Sequence, residues 1–104
     1  MPDTASTIVV LEENAAAQEL IDQALRQSGH RVLITNNPME ILALARRVRI
    51  DLLVGDISLL DATEPKLAER LRSITRTTAV AAPFSLQEFE QAVAAALGRE
   101  RADA

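Results

Sequence analysis

The sequence predicts an α/β domain, a doubly wound parallel sheet with helices on both faces. Three observations point there. Short apolar runs alternate with amphipathic stretches along the chain, the pattern of repeated βα units. One of those runs, at 7–11, is continuous and mostly β-branched, as a strand buried on both faces requires. The chain has 104 residues, enough for one domain with one modest core. Right-handed crossovers between parallel strands then distribute the helices over both faces.

The elements follow in order. Thr7-Ile8-Val9-Val10-Leu11 is the first strand, and Glu12-Glu13 ends it. Asn14 caps a helix whose apolar positions Ala17, Leu20, Ile21, Ala24 and Leu25 recur at helical spacing. Gly29 closes that helix. Arg31-Val32-Leu33-Ile34-Thr35 is the second strand. Asn37, Pro38 and Glu40 open the second helix as cap, first-turn proline and capping-box acid. Its apolar stripe is Ile41, Leu44, Ala45 and Val48, and Arg46, Arg47 and Arg49 lie toward its C-terminal end, where the helix dipole favours cations. Residues 50–55 form the third strand, which ends at Asp56. A loop at 57–63 leads to a third helix at 64–74, with Leu67, Leu71 and Ile74 on one side. Residues 77–81 form a short fourth strand. Ser85 and Glu88 make a capping box, Phe84 and Phe89 a hydrophobic staple, and the last helix runs to about Leu97 with Phe89, Val93, Ala96 and Leu97 inward. The domain is thus expected at 7–98, with flexible ends at 1–6 and 99–104.

Composition removes several function classes. The formal net charge is −4, which disfavours a nucleic-acid or anionic-membrane surface. No apolar run reaches the roughly 20 residues of a membrane span, and a cytoplasmic location is expected. With no cysteine there is no disulfide, thiolate-bound zinc or thiol nucleophile. Aromatics are Phe84 and Phe89 alone, too few for a base-stacking platform. No glycine-rich phosphate loop and no nucleophile elbow is present, and the single histidine, His30, follows a helix-ending glycine. A hydrolase or cofactor binder is therefore disfavoured, and a non-enzymatic role is expected.

The charged residues at strand ends carry the candidate chemistry. Ligands of doubly wound sheets meet the carboxyl ends of the strands. Glu12 and Glu13 follow the first strand and Asp56 follows the third. If those strands are neighbours, three carboxylates converge, and each like-charged pair costs roughly 3 kcal/mol at about 5–6 Å and an effective dielectric near 20. An oxygen-loving divalent cation, Mg²⁺ above all, relieves that repulsion. So does a carboxyl that keeps its proton.

With these residues in view, the chain resembles a response-regulator receiver domain, the flavodoxin-like module of two-component signalling. The resemblance spans about residues 7–97. It rests on Ile8-Val9-Val10-Leu11-Glu12-Glu13-Asn14, Gly29-His30-Arg31-Val32, Asp51-Leu52-Leu53-Val54-Gly55-Asp56-Ile57-Ser58-Leu59 and Pro83-Phe84-Ser85. No one stretch is specific, but their order and separation are. The resemblance implies that Glu12, Glu13 and Asp56 hold Mg²⁺. It also implies that Asp56 accepts phosphate from a histidine kinase, as a carboxylate nucleophile beside a charge-neutralising metal.

Four departures weaken that implication. The family's lysine before Pro-Phe is Ala82, and the only lysine is Lys66. Between Ile74 and Pro83 there is room for one strand only, so the family's fourth strand, its switch Ser or Thr, and its fourth helix are missing. The proline usual after the phosphoacceptor loop is Leu60, and the glycine beyond it is missing. The acidic pair is Glu-Glu, where Asp is commoner at the second position. The expectation is therefore a shortened sheet in the order 2-1-3-4. The module is expected to act mainly through protein contact with a histidine kinase or another signalling protein, with phosphorylation weakened or lost. A working phosphoacceptor Asp56 is the alternative. The lost helix uncovers sheet surface, which a second copy or another protein is expected to cover.

Overall fold

A computed structural model of the chain describes residues 6–80 and 85–102. Four strands, β1 (Thr7–Leu11), β2 (Arg31–Thr35), β3 (Leu52–Gly55) and β4 (Thr77–Ala79), form one parallel sheet in the order β2-β1-β3-β4. Five helices connect and follow them: α1 (Ala15–Gln27), α2 (Pro38–Ala45), α3 (Ile57–Thr63), α4 (Pro65–Ile74) and α5 (Leu86–Ala102).

Strand alternation divides the core in two. Ile8, Val10, Leu52 and Val54 point to one face, where Ile21 and Leu25 of α1 and Phe89, Val93 and Leu97 of α5 cover them. Val9 and Leu53 point to the other, under Ile41 of α2, Ile57 and Leu60 of α3, and Leu67, Ala68 and Leu71 of α4. β1 and β3 are therefore buried on both faces, which explains their unbroken apolar sequence. The flanking strands β2 and β4 are less covered.

Local signals explain the helix ends. The Asn14 side chain accepts from the Ala17 N–H at 2.9 Å and starts α1. At its other end Gly29, at φ +89°, lets its own N–H donate to Arg26 O and the His30 N–H donate to Leu25 O, a Schellman closure. Ser85 and Glu88 exchange the two bonds of a capping box at 2.8 and 3.0 Å. Phe89 is fully buried as expected. Its staple partner Phe84 lies outside the described residues, as does Ala82.

The structure corrects the sequence reading at several points. Residues 57–63 are a helix, because Asp56 caps it and Ile57 and Leu60 bury one side. The described residues thus hold five helices rather than four. α2 stops at Ala45, so Arg46 is its cap residue and Arg47 and Arg49 lie beyond its end. Glu40 does not close a capping box. It accepts from the Thr35 hydroxyl, which in turn accepts from the Asn37 N–H, while the Asn37 side chain takes the Met39 N–H. β3 begins at Leu52, with Ile50 still buried ahead of it. β4 is three residues long, ending at Ala79. Leu20, Val48 and Ile74, assigned above to inward stripes, are exposed. The last helix continues through Gly98 to Ala102.

Candidate functional site at the carboxyl end of the sheet

Residues at the carboxyl ends of β1 and β3 meet because the two strands pair in register, Leu11 opposite Gly55. Gly55 allows the approach. A Cβ at that position would stand 2.4 Å from Leu11 O, and its φ of +154° is one that side chains rarely adopt. Glu12 then lies beside Asp56. Together with Glu13 they line a cavity of about 270 Å³, which Pro38, Leu59, Thr63 and Glu64 help to enclose. The three acidic residues singled out in the sequence therefore share one cavity.

Two of the three carboxylates are already employed locally. Asp56 Oδ1 accepts from the Leu59 N–H at 3.0 Å and caps α3. Glu12 Oε2 accepts from the Asn14 N–H at 3.0 Å. The Glu12 backbone is held as well: its N–H donates to Thr35 O and its carbonyl accepts from Gln18 Nε2. These bonds turn the charges toward backbone donors. Among the described residues, no group of three His, Cys, Asp or Glu side chains is placed to hold a metal ion.

The cavity holds carboxylates and no basic side chain among its described lining. Lys66 is exposed on α4 and does not line it. The Thr63 hydroxyl donates to Leu59 O within α3. Between α3 and α4, Arg72 donates to both Asp61 oxygens, at 2.5 and 2.7 Å, clipping α4 to α3. That hydrogen bond holds the Asp61 carboxyl below the usual aspartate range; desolvation opposes it and the guanidinium charge adds to it. Thr63 and Glu64 are not legible in the sequence as cavity residues, because the seven residues 57–63 are too short a stretch for helical periodicity to show. The capping pattern Asp56-Ile57-Ser58-Leu59 was the signal available.

The fold has a counterpart of known structure. A response regulator from Thermotoga maritima superimposes with a TM-score of 0.64 at 23% identity, covering 86% of this chain and 76% of that one. The fold is that of a receiver domain. The identity is low enough that the likeness speaks for architecture, and architecture alone does not assign function. No protein-family model matches the sequence, and no curated protein does. Against a receiver fold, the order β2-β1-β3-β4 places β4 beside β3, in agreement with a sheet shortened in its C-terminal half. No helix among the described residues is long and apolar enough to cross a membrane.

Proposed function

We propose that the chain is a receiver-like signalling module that acts by protein contact, with phosphoryl transfer at Asp56 weakened or lost. One observation carries this reading: the cavity beside Asp56 gathers carboxylates and has no described cation to face an incoming phosphoryl group. A phosphoryl group adds about −1.5 to −2 charge. Placed among Glu12, Glu13 and Glu64, with no lysine in the described lining, it meets the like charge of three carboxylates. The cap at Leu59 N–H supplies one donor, and Asp56 already uses it. A histidine kinase or another signalling protein is the partner class, and a cytoplasmic location goes with it.

The test is incubation with Mg²⁺ and acetyl phosphate, or with a beryllofluoride mimic, followed by intact mass and NMR. The expected result is no adduct and no shift change at Asp56. An adduct that Asp56→Asn abolishes would instead establish the second reading, a phosphoaccepting receiver, which the shared cavity of Glu12, Glu13 and Asp56 favours. Titration with Mg²⁺ alone is expected to leave the resonances of those three residues in place. A homodimer over the surface uncovered by the shortening is proposed with the first reading, and a monomer in sedimentation would retire it.

A further inference from the structure

A second concavity lies between α2 and α4, opening toward the amino ends of β3 and β4. At about 680 Å³ it is much larger than the acidic cavity. Four arginines line it: Arg46 and Arg49 from the segment after α2, Arg70 from α4, and Arg76 from the start of β4. Asp51 is the one acidic side chain in its lining. It is engaged on both oxygens, one accepting from the Thr7 N–H at 2.8 Å and the other 3.5 Å from Arg49 Nε. Arg46 and Arg70 are exposed and form no ion pair with any described residue. In a chain of net charge −4, this is a basic surface set against the overall sign.

The same groove exposes apolar side chains. Met39 is 58% exposed, Ile74 45% and Val48 38%, and all three line it. They account for half of the large apolar residues that the described surface leaves open. Helical spacing predicts Val48 and Ile74 inward, and neither is covered by the described residues. An apolar floor with arginines at its rim matches a ligand with carboxylates beside apolar side chains. Concave shape and two bounding helices suit a helix seated in a groove. A methionine adapts its shape to such an occupant. A polyanion such as DNA would leave the apolar floor empty. A flat bilayer would not fill a recess.

We propose that the groove between α2 and α4 is a docking site for an acidic amphipathic helix of a partner protein. Arg46 and Arg70 hold its carboxylates, and Met39, Val48 and Ile74 seat its apolar side chains. The proposal gives the contact-based reading a surface, and it rests on that reading for the kind of partner. Asp56 takes no part in its test, so a phosphoadduct at Asp56 leaves the groove standing, and a failed groove leaves the Asp56 assay unaltered.

The test uses the full isotope-labelled chain and a synthetic helical peptide with leucines at i, i+3, i+4 and i+7 and glutamates elsewhere. The peptide is expected to shift resonances within 39–51 and 70–76. Added salt should weaken binding, since charges beyond about 8 Å are screened at physiological ionic strength. The double variant Arg46→Glu, Arg70→Glu should lower affinity about tenfold or more, with an unchanged circular dichroism spectrum. Ile74→Ser should weaken binding without changing its salt dependence. A peptide of the same composition in scrambled order should bind more weakly. Equal affinity for the double variant, shifts elsewhere on the molecule, or equal binding of the scrambled peptide would overturn the proposal. So would tighter binding of anionic vesicles or duplex DNA to the groove. Self-association abolished by the double variant would overturn it too, by making a second copy the occupant.

Discussion

The two ends of the sheet differ in sign and in what their charges do. At the carboxyl end, Glu12 and Asp56 spend their carboxylates on neighbouring backbone N–H groups. The acidic cavity is thereby built into the chain's own turns and caps. At the amino end, Arg46 and Arg70 reach solvent around an uncovered apolar floor. Asp51 there is tied into the fold, closing a reciprocal pair with Thr7: each residue's backbone N–H donates to the other residue, at 2.8 and 2.9 Å. The lesson is that two of the residues most suggestive in sequence, Glu12 and Asp56, are held by their own turns and caps. The residues left with binding capacity drew their meaning from being brought together.

Substitutions at each end sharpen that contrast. Gly55→Ala should have the largest effect, about 3 kcal/mol of destabilisation in urea unfolding, because the new Cβ meets Leu11 backbone that cannot give way. A loss below 1 kcal/mol would mean that the two strands need no close approach to form the acidic cavity. At the opposite end, Asp51→Ala should cost about 2 kcal/mol, leaving the Thr7 N–H without its charged acceptor. Asp51→Asn should recover most of it.

Asp56 separates a structural from a chemical role. Asp56→Ala should cost about 1 kcal/mol by removing the α3 cap, whereas Asp56→Asn should be nearly neutral, since asparagine caps as well. If Asn were as costly as Ala in the same unfolding assay, the cap would not be what Asp56 contributes to stability. The smallest effect is that of pH on the Asp61–Arg72 clip. The folded Asp61 carboxyl titrates below its unfolded value, so its contribution is present above the ordinary aspartate range near 3.9 and is lost as pH falls through the lowered folded value. Hydrogen exchange in α3 should quicken over that window once the intrinsic pH dependence is removed, and Arg72→Ala should abolish the effect.

Much of this was legible in the chain itself. The continuous aliphatic run of β1 announced a central strand, because only strands covered on both faces can be apolar at every position. Asn14, Gly29 and the Ser85–Glu88 pair marked helix ends, because caps satisfy backbone groups within a few residues. Glu12, Glu13 and Asp56 in one cavity followed from strand ends in a parallel sheet. The misses share a physical cause. Helix α3 was hidden because seven residues give too short a period to read, and packing of Ile57 and Leu60 supplies its stability. Val48 and Ile74 fitted their helical stripes, yet periodicity states which residues share a face and not whether another element covers it.

Sequence alone thus determined what depends on neighbours along the chain: strands, caps, and the acids at strand ends. Tertiary structure decided what depends on distance through space. It turned the carboxylates of Glu12 and Asp56 to backbone donors, and it gathered Arg46, Arg49, Arg70 and Arg76 from separate segments around one groove. Short-range hydrogen bonds are encoded within a few residues, whereas a surface is the sum of segments that only folding makes adjacent.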